Sequence, residues 1–264
     1  MHPDPHWAPA WRAVVAVGEQ VAERRPTGAL GEQARRAAQH AADMFAHEAL
    51  GTALREAYPD VPVISEEDAE HQDERPATYW LIDPIDGTAS WSSGFPGFVC
   101  QIARIHDGSV DFSVIHAPVL NRTWTCAPGS GAYLNGIAMP RLGPVPADEQ
   151  VRVIDNAPEP HGVAAAVMAW LGTEHYRECG SIGLKAALVA TGEADVFVKD
   201  VVVRDWDVAP ALALLREVGG DLRLGDGGAY LLTGAYAKPA GVLATGGLEL
   251  GERIGAWLGA GPTR

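Results

Sequence analysis

Residues 78–88 read TYWLIDPIDGT, an apolar run that ends in two aspartates, a glycine and a threonine. Aromatic and aliphatic residues of this kind are typical of a buried β-strand, and Pro84 predicts that the strand stops there, because proline has no N–H for the ladder. Asp83 and Asp86 stand three residues apart at this strand end. Their carboxylates can therefore enter one site and share one or two hard cations.

Gly87 and Thr88 follow the second aspartate, and we expect a helix to begin near Thr88. Backbone amides at the start of a helix suit a phosphate group. Phosphatases that form an aspartyl-phosphate carry D-x-D-G-T, with two carboxylates two residues apart. Here Pro84 stands in the middle position and the spacing is three. The segment therefore favours a metal-activated water over a covalent phospho-aspartate.

A second pair of acids, Glu66 and Glu67, follows the short apolar strand predicted at 61–65. Taken alone, they could equally be a helix cap or part of a solvated loop. Two strand ends that each deliver carboxylates within twenty residues favour a joint site. We therefore expect these acids to lie near the aspartates of the TYWLIDPIDGT segment.

A third acidic cluster, Asp205 and Asp207, lies in VRDWDVAPALALLREVGG (203–220). Asp207 could be the N-cap of a helix predicted at 208–218. Pro210 would then occupy the N3 position, where it has no N–H for the cap to accept. The weakened cap suggests a further role for this aspartate.

The chain has 264 residues, 47% of them apolar, which is enough for a substantial core. The pattern predicts two halves that meet in a proline-containing stretch, an N-terminal α+β half at 1–140 with an antiparallel meander and a C-terminal α/β half at 141–264. The helices predicted outside the third acidic cluster are 9–24, 31–57, 161–171, 182–191 and 247–258.

The formal net charge is −14. Such a charge argues against a nucleic-acid partner or a membrane surface, because phosphate polyanions would be repelled. Three cysteines without CxxC spacing, no secretory signal and no long apolar segment favour a cytoplasmic protein. A small phosphorylated metabolite remains compatible with this charge, since local groups would bind it.

The strings SEE (65–67) and WLIDPIDGT (80–88), with WD (206–207) before an apolar helix that ends in two glycines, resemble the inositol monophosphatase superfamily. The resemblance runs from about residue 43 to about residue 247. It implies a layered αβαβα sandwich of the inositol monophosphatase and fructose-1,6-bisphosphatase type. It also implies a lithium-sensitive phosphomonoesterase that uses two or three Mg²⁺ ions and commonly forms a homodimer.

The resemblance also implies the role of individual residues. Metal ligands would be Glu66, Asp83, the carbonyl of Ile85, Asp86 and Asp207, with Glu67 as a neighbouring acid. Gly87 and Thr88 would bind phosphate, and Thr88 would orient the attacking water together with Asp43. The substrate pocket in the C-terminal half would contain Ser181, Ile182, Gly183, Lys185 and Asp200.

The substrate stays open at this point. An acid at position 200 suits the hydroxyl groups of a polyol or sugar phosphate, whereas the Leu184-Lys185 pair resembles the 3′(2′),5′-bisphosphate nucleotidases. Lys185 could also be a surface lysine. Histidinol phosphate is a further candidate substrate, and a regulatory homologue that binds metal without activity is the alternative outside enzymes.

Overall fold

The computed structural model describes residues 4–28, 30–68 and 75–261. The longer helices form where alanine, leucine and charged residues are frequent, as their propensities predict. Their bounds are α1 Ala8–Glu23, α2 Glu32–Ala57, α3 Thr88–Ser93, α4 Gly162–Leu171, α5 Ile182–Ala190, α6 Asp205–Val218 and α7 Leu248–Gly259.

The strands of the N-terminal half form one seven-stranded sheet in chain order, antiparallel except for its first pair. Its members are β1 Val63–Ser65, β2 Thr78–Asp86, β3 Val99–His106, β4 Ser109–Ala117, β5 Arg122–Ala127, β6 Gly131–Leu134 and β7 Ile137–Ala138. The predicted meander is confirmed.

The strands of the C-terminal half are β8 Val153–Asp155, β9 Tyr176–Glu178, β10 Val196–Lys199, β11 Val203–Arg204, β12 Asp221–Leu224, β13 Ala237–Lys238 and β14 Val242–Thr245. Five of them form a sheet in the order β12-β14-β10-β8-β9, and β11 pairs with β13. The sheets separate near the predicted boundary, but whether 1–140 and 141–264 are independent domains stays a prediction.

Side chains of the seven-stranded sheet alternate between two cores, as the period of a strand requires. Trp80 and Ile82 of β2 pack with α1 and α2 on one face. Tyr79 and Leu81 belong to the core on the other face, which also contains α5 and α6. The two N-terminal helices therefore form the first layer and the seven-stranded sheet the second.

The five-stranded sheet alternates in the same way. Phe197 of β10 faces the core that contains α5 and α6. Val196 and Val198 face the core shared with α4 and α7. The layers are thus α1/α2, sheet, α5/α6, sheet and α4/α7, which confirms the αβαβα sandwich. None of the helices formed by the described residues combines the length and apolar character needed to cross a bilayer.

Candidate active site

The parallel pairing of β1 with β2 brings two of the acidic clusters together. Ser65 at the end of β1 is the register partner of Ile82, and the Glu66 amide donates to the Ile82 carbonyl at 3.1 Å. Parallel strands end at the same edge of a sheet, so Glu66 follows β1 where Asp83 stands on β2. The joint site predicted from these two strand ends is therefore supported by the strand register.

The prediction that β2 stops at Pro84 is wrong, because the strand continues to Asp86 through a bulge. Asp83 pairs with Gln101 and Asp86 with Val99, so three steps on β2 match two on β3. Proline lacks a ladder donor, and the extra residue absorbs this defect. Residues three apart on a regular strand point to opposite faces. The bulge instead brings both carboxylates to Gln101 Nε2, at 3.3 and 3.4 Å.

The first turn of α5 holds the carboxylate of Asp86. Ile182 N donates to Asp86 Oδ1 at 3.2 Å, and Gly183 N donates to Oδ2 at 2.5 Å. Ser181 caps this helix by accepting from Leu184 N at 3.2 Å. The amides of Ile182 and Gly183, which were predicted to line the substrate pocket, thus orient an acid from the other half of the chain.

The fourth acid comes from the first turn of α6. The interpretation of Asp207 as an N-cap is wrong, since the helix begins at Asp205 and Arg204 is the N-cap residue. Asp207 occupies N3, and its Oδ2 accepts from Arg204 N at 2.7 Å in a capping box. Pro210 is consequently the sixth residue of the helix and not N3. Gln101 Nε2 contacts both the Asp207 carbonyl and the aspartates of β2, so the half-buried Asp207 lies within electrostatic range of these acids.

The four acids repel one another in a buried environment. Burial raises the pKa of Asp83 well above its usual range, and the three other carboxylates raise it further. Burial and the charge of Asp86 raise the pKa of Glu66 to about 7 and that of Asp207 well above normal. The pKa of Asp86 rises only to about 6, because hydrogen bonds from α5 oppose burial. The positive charges of Arg204 and Lys185 oppose these shifts but do not cancel them.

Divalent cations fit this donor set. The buried Oδ1 of Asp83 has no hydrogen-bond partner within the described part of the chain, and carboxylate oxygens are the ligands that hard cations prefer. No group of three or more His, Cys, Asp or Glu residues in 4–28, 30–68 and 75–261 is arranged to hold a metal ion by itself. Mg²⁺ commonly keeps several waters and uses few protein ligands together with substrate phosphate. A partial protein shell is therefore compatible with it.

Gly87 and Thr88 lie where β2 turns into α3. Gly87 adopts a left-handed conformation, φ 91°, which glycine tolerates without strain. A Cβ there would lie 2.9 Å from the Cβ of Ser181, so the turn packs directly against the start of α5. Gln39 of α2 donates to the Thr88 carbonyl at 3.1 Å. The predicted phosphate-binding turn is thus fixed by both halves of the chain.

A cavity of about 740 Å³ opens beyond Asp86 and Gly87, and Ser181, Ile182 and Lys185 are among its lining residues. Asp200 is not in this lining and instead borders a neighbouring cavity. The predicted pocket residues are therefore only partly brought together.

Lys185 is not a surface lysine, since only 2% of it is exposed. Its Nζ donates to the Gly180 carbonyl at 2.9 Å and lies 3.6 Å from Asp155 Oδ1. Lys199 shares the same carboxylate, with its Nζ 3.0 Å from both oxygens, and also lines the cavity. Two lysines thus share one buried aspartate beside the cavity.

Asp43 lies half-buried on α2. Burial and, to a smaller extent, the charges of Glu67 and Glu66 raise its pKa to about 8. The structure therefore places Asp43 within electrostatic range of the acids after β1. This position is compatible with the role implied for Asp43 by resemblance, which stays a prediction.

Gln101, like Lys199 and Asp155, is a residue of this site that the sequence did not predict. It is fully buried, and its Nε2 lies 3.1 Å from both the Trp206 and the Asp207 carbonyl oxygens. A lone glutamine in an apolar strand has no chemical signature in the sequence. Only its cross-strand pairing with Asp83, which depends on the register of β2 and β3, identifies it.

Comparisons with known proteins agree with this geometry. The profile of the inositol monophosphatase family matches residues 4–256. A Thermotoga maritima fructose-1,6-bisphosphatase/inositol-1-monophosphatase is 34% identical over 178 residues, 63% of each chain. The 3′(2′),5′-bisphosphate nucleotidase CysQ of Aggregatibacter actinomycetemcomitans is 32% identical over 188 residues, 68% of this chain and 69% of that one. The matched segments thus span about two thirds of these relatives.

The fold is also found in solved structures. Inositol monophosphatase II of Staphylococcus aureus superposes with a TM-score of 0.78 at 20% identity, covering 95% of this chain and 94% of the other. A likeness at this identity establishes the common architecture, while the family profile covers nearly the whole chain. The chain therefore belongs to the inositol monophosphatase family, whose members are phosphatases that use divalent metal ions.

Proposed function

We propose that this protein is a Mg²⁺-dependent phosphomonoesterase that hydrolyses a small phosphorylated polyol or sugar with two or three Mg²⁺ ions. The observation that carries the proposal is that Glu66, Asp83, Asp86 and Asp207 repel one another at one place in the fold, where Asp86 lines a cavity. The pKa values of these acids are raised although Arg204 and Lys185 act in the opposite direction, so a bound divalent cation would relieve their repulsion. Family membership supplies the chemistry that such a cluster performs.

Individual residues of the site would have different roles in hydrolysis. When bound, the divalent cations supply Lewis acidity that activates a water molecule and neutralises the phosphate. We propose that the Ile85 carbonyl joins the four acids as a ligand and that Glu67 supports them. Gly87 and Thr88 would bind the phosphate through their amides. Asp43 would act with Thr88 to orient the attacking water and would accept its proton.

A bisphosphorylated nucleotide is the second candidate substrate, and the lysines beside the cavity favour it. Lys185 and Lys199 line the space beyond Asp86, where a second phosphate would meet their shared positive charge. Asp200, the acid that suits sugar hydroxyls, lies outside this lining. A relative named as a bisphosphate nucleotidase is consistent with this alternative.

Phosphate release from a substrate panel decides between these candidates. The panel contains inositol 1-phosphate, a hexose phosphate, histidinol phosphate and adenosine 3′,5′-bisphosphate, each with Mg²⁺, with EDTA and with Mg²⁺ plus Li⁺. We expect Mg²⁺-dependent, Li⁺-inhibited release that Asp86→Asn abolishes. The matched control is Asp60→Asn, which changes an exposed acid outside the site.

The panel also has results that contradict the proposal. Turnover that persists in EDTA or in Asp86→Asn would refute the metal-dependent mechanism. No release from any substrate, with Mg²⁺ binding intact, would identify a regulatory homologue. A homodimer and a cytoplasmic location stay predictions, to be tested by light scattering and by cell fractionation.

A further inference from the structure

Gln101 lies where three elements that carry site residues meet. It projects from β3 opposite Asp83, and its Nε2 contacts the carbonyls of Trp206 and Asp207 in the first turn of α6. A Cβ on Gly183, at the start of α5, would lie 2.2 Å from Oε1 of Gln101. The amide is thus enclosed by both halves of the chain.

The surroundings determine which end of the amide is the nitrogen. Four acceptor oxygens surround one end, two from the carboxylates of Asp83 and Asp86 and two from backbone carbonyls. Only an NH₂ group can face four acceptors without repulsion. Its two hydrogens cannot satisfy all four at once. The carbonyl contacts, 3.1 Å each, are shorter than the carboxylate contacts at 3.3 and 3.4 Å.

Pro210 explains why a side chain from the sheet can donate to this helix. In an α-helix, residue 210 would donate its N–H to the carbonyl of Trp206. Proline has no N–H, and its ring pushes against that carbonyl. Gln101 supplies a donor at this place from the neighbouring sheet. The proline inside α6 and the glutamine in β3 are therefore parts of one contact.

We propose that Gln101 is a positioning residue, which joins α6 to the β2 acids and so fixes Asp207 relative to Asp83 and Asp86. This inference rests on the proposed function, in which Asp83, Asp86 and Asp207 are the metal ligands. Without Gln101 each acid would stay on its own element, but the distance between α6 and β2 would no longer be fixed. The consequence is weaker metal binding.

A double-mutant cycle on stability tests the contact itself. Gln101→Met keeps the length of the side chain but removes the donor, so we expect the melting temperature to fall by about 3–8 °C. Pro210→Ala introduces an N–H for the Trp206 carbonyl. It should therefore raise the melting temperature more in the Gln101→Met background than in the wild type. Equal increments in the two backgrounds would overturn the contact.

Mg²⁺ affinity, measured by calorimetry, tests the positioning role separately. Gln101→Met should raise the dissociation constant about tenfold, the range found when supports of metal ligands are removed. Pro210→Ala should not restore it, because an N–H inside α6 does not reach the β2 acids. Gln101→Asn, which shortens the amide, is the second variant and should shift the constant in the same direction. Unchanged affinity in both would overturn the positioning role.

Ser113→Ala is the matched control. Ser113 on β4 is equally enclosed, 2% exposed, and its Oγ donates to the Pro210 carbonyl at 3.1 Å. Its removal should lower the melting temperature but leave Mg²⁺ affinity unchanged. Equal loss of affinity in this control would show a general effect of loosening α6 and would overturn a specific role of Gln101. If the wild type bound no Mg²⁺, the proposed function would be refuted. The double-mutant cycle on stability would still test the contact between Gln101 and the Trp206 carbonyl.

Discussion

Replacing Glu66 with glutamine should stabilise the metal-free protein. Burial and neighbouring carboxylates raise the pKa of Glu66 from 4.5 to about 7. Between pH 4.5 and about pH 7 the folded state binds more protons at Glu66 than the unfolded chain does, so the free energy of unfolding falls as the pH rises. Above about pH 7 the whole loss of stability is present. A rise of this size corresponds to about 3 kcal/mol. Glutamine carries no charge and removes the penalty.

Thermal unfolding in EDTA measures this effect. At about pH 8 we expect Glu66→Gln to melt about 5–10 °C above the wild type, and the difference should vanish near pH 4.5. Saturating Mg²⁺ should reduce or reverse the order, because the wild type gains more from the ion. The exposed acid Glu48, changed to glutamine, is the control and should melt like the wild type. A Glu66→Gln protein no more stable than wild type in EDTA at about pH 8 would refute the repulsion.

Three further predictions concern Lys185, His116 and Gly180. Lys185→Met should raise KM for adenosine 3′,5′-bisphosphate about tenfold, with a smaller effect on inositol 1-phosphate; equal KM changes would remove the nucleotide candidate. Burial lowers the pKa of His116 from 6.5 to about 4, so the wild type should lose up to about 3 kcal/mol as the pH falls across that range. In urea titrations His116→Gln should lack this loss, and an identical pH dependence would contradict the assignment. Gly180→Ala would place a Cβ 1.9 Å from the Gly97 carbonyl oxygen and should lower the melting temperature by more than about 5 °C. Gly143→Ala, which meets nothing within 4 Å, is the control, and similar melting of both would contradict the predicted clash.

Most helix bounds were predictable because propensity and breakers act locally. The predicted helix at 161–171 differs by one residue from α4, and that at 182–191 by one from α5. The start of α6 was predicted three residues late, since the side chain of Asp207 caps the helix from inside its first turn. Which residue forms a cap depends on the backbone conformation at Arg204, and the residue types alone do not determine it.

The acidic residues of the site could be found from their residue types, but its geometry could not. Carboxylates that follow apolar strands predict a metal site from the sequence. The bulge at Pro84 depends on the pairing of β2 with β3, and no local pattern gives that register. The same register brings Gln101 to Asp83. Long-range pairing also explains why Lys185 is buried beside a cavity and why Asp200 borders a different one.

The most direct test of the central claim is the initial rate of phosphate release as a function of Mg²⁺ concentration, for the wild type and Asp83→Asn. We expect no release without the cation, saturable activation in the wild type, and a loss of at least about a hundredfold in the variant, since the cations supply several kcal/mol. Phosphate release that EDTA does not reduce would contradict the assignment of this site as a metal-dependent phosphatase centre. Activation of Asp83→Asn by Mg²⁺ to the wild-type rate would also contradict it.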